Sequence, residues 1–358
     1  MGDKTPLYES HVALGGRMVD FAGWQMPVQY SGVIEEHEAV RSRVGIFDVS
    51  HMGEIIFEGP GALETLNLLV TNDLARCENG QAQYSALLND DGGIIDDIVV
   101  YRFSATRLLV CVNASGRQKD FAAFSARAKC RQESDDWAQI AVQGPLAAEL
   151  VGSLADSDVA GIGTYRFAEG KIHGIPCIVA RTGYTGEDGF ELFCRPDNAP
   201  KLWDLLLTRG RPYGILPCGL GARDSLRLEM AYRLYGNDMD DRVTPLEAGL
   251  GWIVKLDKPD FVGKRALVAQ KTAGLKRKLA GFKLTGRGIA RHGYPVLQGN
   301  VRVGEVTSGT FSPTLKEPIG LAYLPNALAE PDTEFQVEIR GKPIDAVVVP
   351  TPFLTREP

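Results

Sequence analysis

The sequence predicts an α+β protein that ends in a separate all-β domain. Three observations carry that expectation. First, a strand–turn–helix pattern recurs in GEIIFEGPGALETLNLL (53–69), AQIAVQGPLAAELVGSL (138–154) and FELFCRPDNAPKLWDLLL (190–207). In each, a Gly or Pro ends an apolar run and an i, i+3/i+4 apolar spacing follows. Second, strand-like runs lie between them: GGIIDDIVVYRF (92–103), RLLVCVNA (107–114) and IPCIVART (175–182). Strands mixed with helices, with no βαβ repeat carrying phosphate-loop glycines, favour α+β over a doubly wound sheet. Third, composition shifts near residue 270. Beyond the basic stretch KTAGLKRKLAG (271–281), the runs LAGFKLTG, YPVLQGNVRVGEVTSG, IGLAYLP and EFQVEIRGKPIDAVVVPTPF have almost no helical period. They read as short strands of a small barrel or sandwich.

The chain has 358 residues. At roughly 150 residues per domain, this suggests two or three domains. Charged residues make up 23% and the net charge is −6, which argues against generic nucleic-acid binding, since that needs broad positive charge. No apolar run approaches the ~18 residues of a membrane span. The start, MGDKTPLYES, has no apolar stretch of the signal-peptide kind and is not Arg-rich. The expected location is the cytoplasm, or the mitochondrial matrix for a processed mature form. Of the six cysteines (Cys77, Cys111, Cys130, Cys177, Cys194 and Cys218), no two are spaced CxxC. That leaves out zinc ribbons and thioredoxin-like pairs, and buried reduced thiols are the expectation.

Common catalytic motifs fail. Gly219-x-Gly221 would need a third Gly at Asp224, and Gly286-x-Gly288 one at Arg291. There is no GxxxxGK[ST] loop and no GxSxG elbow. No two of His11, His37, His51, His173 and His292 are spaced i, i+4, so no helical metal site is expected. DVSHM (48–52) sets Ser50 beside His51, but neighbours on an extended chain point to opposite sides, so the two form no nucleophile–base pair.

Three constellations remain. In Gly92-Gly93-Ile94-Ile95-Asp96-Asp97-Ile98-Val99-Val100-Tyr101, strand alternation puts Ile95, Asp97, Val99 and Tyr101 on one face. Ile94, Asp96, Ile98 and Val100 take the other. Both faces are apolar, so at least one carboxylate enters an apolar layer, where burial is costly without a partner. Such a group is a candidate acid or base; the plainer reading is two Asp residues capping a strand in solvent. In RTGYTGEDGFE (181–191), the turn explains the glycines but not Glu191, which alternation places with Phe193. A carboxylate held there could grip a guanidine-like edge through two parallel hydrogen bonds. In CGLGARDSLRLEMAYRLYGNDMD (218–240), Arg223, Arg227 and Tyr232 fall in an expected helix that follows Gly219 and Gly221. Arg223 is either an anion-gripping residue at a helix start or part of a structural Arg–Asp network.

Taken together, these segments resemble the T proteins of the glycine cleavage system, a family of tetrahydrofolate-dependent aminomethyltransferases. The resemblance runs from TPLYESHVALGGRMVDFAGWQMPVQY (5–30) through VGIFDVSHMGEI, GGIIDDIVVY, RTGYTGEDGFEL, GLGARDSLRLE and YGNDMD to GEVTSGTFSPTL (304–315). It implies three domains in a clover-leaf around a central folate cavity. Two are antiparallel-sheet α+β domains, residues 1–52 with 138–270 and residues 53–137. The third, 271–358, is all-β and barrel-like. It also implies that Asp97 is catalytic, that Glu191 grips a pterin and that Arg223 contacts folate. Tyr84, Tyr101, Tyr184, Tyr232 and Met52 fall where the family lines its cavity. Phe353 stands where some relatives have a Tyr, so a hydroxyl contact is not expected there. The reaction implied takes an aminomethyl group from the dihydrolipoyl arm of a lipoylated H protein to tetrahydrofolate. It releases ammonia, forms 5,10-methylenetetrahydrofolate and requires no metal. A folate-dependent demethylase and a non-catalytic folate-binding module of the same fold are the alternatives. H proteins of this family tend to be acidic. Lys271, Lys276, Arg277, Lys278, Lys283, Arg287 and Arg291 crowd one stretch of this chain and would steer such a partner.

Overall fold

A computed structural model describes residues 2–355 of the chain. Two compact units are present. The first takes in the chain up to Leu69, then Asp73–Ser85 and Asp97–Asp224; the second takes in Val70–Asn72, Ala86–Asp96 and the chain from Ser225 onward.

The repeated strand–turn–helix segments fold as their sequences suggest. Strand Gly53–Glu58 leads to helix Ala62–Leu69, strand Ala138–Gln143 to helix Ala147–Leu154, and strand Gly189–Cys194 to helix Ala199–Gly210. The second turn shows why glycine is required. Gly144 has φ +132°, and a Cβ there would lie 2.4 Å from the Arg43 carbonyl oxygen. Helix Ala199–Gly210 instead starts with a proline in its first turn, where the missing N–H costs nothing.

Strands Gln81–Leu88, Ile94–Ser104, Arg107–Val112, Gly53–Glu58 and Arg131–Gln132 form a five-stranded sheet in that order. A six-stranded sheet runs Phe167–Ile172, Ile175–Ala180, Gly189–Cys194, Ala138–Gln143, Gly45–Asp48, Leu216–Pro217. Its pairings are antiparallel except where Leu216 and Pro217 run parallel to Gly45 and Ile46. One face of this sheet carries Ile46, Ile140, Val142, Phe190 and Leu192 into a core with Leu150, Leu202 and Trp203 from its helices. The other face carries Ile178, Ala180 and Phe193 into a layer shared with Ile56, Tyr101, Leu109 and Cys111 of the five-stranded sheet. The two sheets thus pack face to face in the first unit, with Tyr101 in the layer and Met52 packed against it.

In the second unit, strands Arg277–Leu284, Pro318–Pro325, Val301–Phe311, Pro295–Gln298, Glu334–Ile339 and Lys342–Val349 close into a six-stranded barrel. Alternation sends Ala280, Phe282 and Leu284 into its interior with Val296, Phe335 and Val348. Closure removes the exposed sheet edges that short strands otherwise leave.

The structure departs from the sequence reading in two places. A three-stranded sheet of Asp3–Lys4, Trp24–Gln29 and Arg17–Phe21 opens the chain and was not anticipated. The helix over 220–229 ends at Glu229, so Tyr232 lies outside it. Ala231 takes φ +53°, a left-handed conformation that no helix continues through.

Candidate active site

Alternation along Ile94–Ser104 assigns the two acids different surroundings. Asp96 is fully buried with Ile94, Ile98 and Val100. Asp97, on the other face, is only partly buried. Neutral donors reach both of its carboxylate oxygens: the Tyr84 hydroxyl donates to Oδ2 at 2.8 Å, and Asn113 Nδ2 donates to Oδ1 at 2.9 Å. The same amide also reaches the Asp97 carbonyl at 3.1 Å, which ties side chain and backbone together.

Glu191 lies in the sheet–sheet layer, opposite Ala141 on one neighbouring strand and Ala180 on the other. Gln139 Nε2 donates to its Oε1 at 3.0 Å, and the Thr182 hydroxyl donates to Oε2 at 2.5 Å. The Tyr101 hydroxyl donates to Oε2 at 3.5 Å. Tyr101 is itself fixed edge-on between Phe167 and Phe193, with ring centroids 5.5 and 5.3 Å away. Burial first, and the Glu191 charge second, raise its phenol well above the usual range. Met52 packs against the same apolar layer.

The Arg181–Gly189 turn is clamped from several sides. Arg181 makes a two-pronged ion pair with Asp188, at 2.8 and 2.7 Å. Arg41 reaches the Thr185 carbonyl at 2.6 Å and the Glu187 carboxylate at 2.9 Å. Gln143, buried, donates to the Thr182 carbonyl at 3.1 Å and accepts from the Thr185 hydroxyl at 2.9 Å. Any Cβ on Gly183 would collide with that amide, 1.9 Å from its Oε1. This clamp presents Tyr184, and the Arg223 guanidinium stacks over its ring at 4.8 Å. Arg223 has no hydrogen-bond acceptor among the described residues. Burial lowers its pKa, opposed by the charges of Glu191 and Tyr184. A planar cation stacked on an aromatic ring is suited to gripping a carboxylate or carbonyl oxygen.

Ser50 and His51 lie in the turn between strands Gly45–Asp48 and Gly53–Glu58, closed by the Met52 N–H donating to the Val49 carbonyl at 3.0 Å, and not on the extended segment the sequence reading assumed. The Ser50 hydroxyl donates to the Gln139 carbonyl at 3.3 Å. His51 is buried edge-on against Phe21, and its Nδ1 has no hydrogen-bond partner among the described residues. Burial pulls its pKa down to about 4; the charge of Asp48 opposes this, while Arg223 and Arg117 add to it. Tyr232 and Phe353 belong to the second unit. The Tyr232 carbonyl accepts from Arg227 at 2.9 Å. The Phe353 ring lies 3.0 Å from where a Cβ on Gly281 would sit.

Asn113, Gln139 and Thr182 escaped the sequence reading. Asn113 ends an apolar strand, Gln139 interrupts the buried run AQIAVQ, and Thr182 closes IPCIVART. Each is a lone polar residue in or beside a buried strand, and that is the signal that could have found them.

An α+β unit of two packed sheets that carries oriented carboxylates and an arginine, and a second unit that closes a barrel, define an α+β protein with a C-terminal barrel. Comparisons with known proteins identify the family. The GCVT N-terminal domain family matches residues 7–258, and the glycine cleavage T-protein C-terminal barrel domain family matches residues 277–354. An aminomethyltransferase of Halothermothrix orenii is 49% identical over 355 residues, covering 98% of this chain and 99% of that protein. One from Rubrobacter xylanophilus is 52% identical over 362 residues, covering 99% and 95%. The crystal structure of glycine cleavage system aminomethyltransferase T from Bartonella henselae superposes with a TM-score of 0.92 at 35% identity, covering 99% of this chain and 98% of that one. This chain belongs to the glycine cleavage T-protein family and is an enzyme of the aminomethyltransferase class. No helix among the described residues is long and apolar enough to cross a membrane.

Proposed function

We propose that the enzyme moves the one-carbon unit of an aminomethyl group, carried on the dihydrolipoyl arm of an H protein, to tetrahydrofolate. The carbon loses both its nitrogen, as ammonia, and its sulfur, as the dihydrolipoyl thiol, which take up the two folate N–H protons as 5,10-methylenetetrahydrofolate forms. The observation that carries this reading is the pair of carboxylates on facing sheets, Asp97 and Glu191, each held by neutral donors.

Glu191 has both oxygens oriented by the protein and would accept two parallel N–H groups from the 2-amino-pyrimidinone edge of a pterin. Arg223 would take a carbonyl or carboxylate oxygen of the same molecule. Asp97 would hold the folate amines and receive a proton as carbon–nitrogen bonds form. Folate supplies the nucleophilic nitrogens. Tyr101, Tyr184 and Met52 would shield the reacting carbon, because water reaching it would release formaldehyde. Tyr84 acts through Asp97, by keeping the carboxylate in one orientation.

The test is ammonia release from aminomethyl-loaded H protein, with and without tetrahydrofolate. Acceleration by tetrahydrofolate that disappears in Asp97→Asn supports the reading. A rate indifferent to tetrahydrofolate overturns it.

A further inference from the structure

We propose that Gln139, with its amide oriented by the Cys111 thiol, is the positioning residue that aims Glu191 at its ligand; this rests on the folate reading above. Gln139 is 1% exposed. It lies opposite Phe193, while Ala141, two residues on, lies opposite Glu191. Gln139 and Glu191 are therefore diagonal neighbours on one face of the sheet. Their surroundings there are Ala141, Phe193, Ile178 and Ala180, all buried and apolar. An amide in such a layer is costly unless its polar atoms are paired.

Both ends of this amide are paired. Nε2 donates to Glu191 Oε1 at 3.0 Å, and Oε1 accepts from Cys111 Sγ at 3.7 Å. The assignment of the two amide atoms follows from chemistry, since a carboxylate needs a donor and a thiol offers one. The backbone is anchored as well: the Gln139 N–H donates to the Ser50 hydroxyl at 3.1 Å, and its carbonyl accepts from the Val49 N–H at 3.0 Å.

Thr182 and Tyr101 both address Oε2. With those donors alone, the Glu191 carboxylate could swing about the bond that carries it. Gln139 adds a donor on Oε1 and so sets the carboxylate plane. Two parallel N–H bonds from a ligand require that plane. A Leu or Met at 139 would suit the surrounding layer better, so what the glutamine contributes is orientation of Glu191.

The experiment compares Gln139→Met, Cys111→Ala, Cys111→Ser and Glu191→Gln. It measures the tetrahydrofolate dissociation constant by calorimetry, KM and kcat with loaded H protein, and thermal stability. Gln139→Met should weaken folate affinity about tenfold, lower kcat by much less, and leave Tm equal or higher. Cys111→Ser, which keeps a donor, should lose less affinity than Cys111→Ala. Parent-level affinity in Glu191→Gln would overturn the folate reading of the site itself. Weakened affinity in Glu191→Gln with none in Gln139→Met would overturn the positioning role alone. If Gln139→Met does not fold, the cysteine pair decides the matter: equal affinity in Cys111→Ala and Cys111→Ser overturns the proposal.

Discussion

Asp96 and Asp97 are consecutive, yet the strand pleat gives them opposite fates. Asp96 is sealed among Ile94, Ile98 and Val100, whereas Asp97 faces Tyr84 and Asn113. Asp97→Asn should therefore lower turnover by ~10²–10⁴-fold, as loss of an acid/base group does, while folate affinity and Tm change little. Steady-state kinetics beside calorimetry checks this, and more than about half the parent rate would sink the assignment. Glu54 makes a different prediction. It is 1% exposed with no partner on Oε2 among the described residues, and burial raises its pKa well above 4.5, only partly opposed by Arg117. The folded state thus holds a proton that the unfolded chain releases near pH 4.5. Stability from this group is complete below that pH and is lost as pH rises toward the folded pKa. Glu54→Gln, neutral at every pH, should gain on the parent as pH increases, by at most about 1.4 kcal/mol per pH unit. Urea titrations between pH 5.5 and 8 read this directly; a gap that does not move with pH would refute it.

The helix over 220–229 shows what one element does with two arginines a turn apart. Arg223 stacks on Tyr184. Arg227, within the second unit, is locked away. It pairs with Asp238 at 2.7 Å, side chains 2% and 0% exposed, and donates to the Ser308 hydroxyl at 2.8 Å. Asp238 also accepts from the Thr307 hydroxyl at 2.5 Å and the Leu234 N–H at 2.9 Å. The pair ties the helix, the YGNDMD loop and the barrel together. Asp238→Asn keeps the shape but removes the charge that faces the Arg227 guanidinium, and breaking a buried ion pair typically costs about 3–5 kcal/mol. Chemical denaturation should show a loss of that size. A loss below about 1 kcal/mol would mean that the pair is not what holds these elements. The sequence reading saw Arg227 and Tyr232 in one helix. The turn at Ala231 corrects that: its left-handed φ carries Tyr232 out of the helix, and the Arg227 guanidinium donates to the Tyr232 carbonyl there.

At the scale of the whole molecule, charge is uneven: residues 261–358 carry 14 Lys/Arg and 8 Asp/Glu in a chain of net charge −6. The structure separates that basic stretch into two kinds of residue. Arg277 pairs with Glu247, Lys278 with Glu330 and Lys283 with Glu317, and Arg291 donates to the Gly309 carbonyl. Lys271, Lys276 and Arg287 are exposed with no ion pair among the described residues. Steering of an acidic H protein, if these residues provide it, acts on encounter and is screened over about 8 Å at physiological salt. Reversing Lys271, Lys276 and Arg287 to Glu should raise KM for H protein severalfold and flatten its salt dependence, with kcat unchanged. Kinetics at 50 and 300 mM salt test this, and identical KM and salt slope in mutant and parent would remove the role.

Periodicity and punctuation were enough to read the strand–turn–helix repeats, the barrel strands and the faces of Asp97 and Glu191. These depend on neighbours a few residues apart, where alternation and turn chemistry dominate. The N-terminal three-stranded sheet was not legible, because Asp3–Lys4 is a strand only by pairing with Trp24 and Gln25. The site's supporting residues were not legible either. Asn113 meets Asp97 across 16 positions, Gln139 meets Glu191 across 52, and Tyr101 meets Glu191 across 90. A lone Gln or Thr in an apolar strand carries no mark of which distant carboxylate it will meet. By itself, the sequence determined which side chains carry charge and which face of a strand each one takes. Only the pairing of distant strands within each sheet, and the packing of one sheet against the other for Tyr101 and Cys111, decided which donors meet which oxygens, because an unpaired polar atom in that layer is too costly to leave.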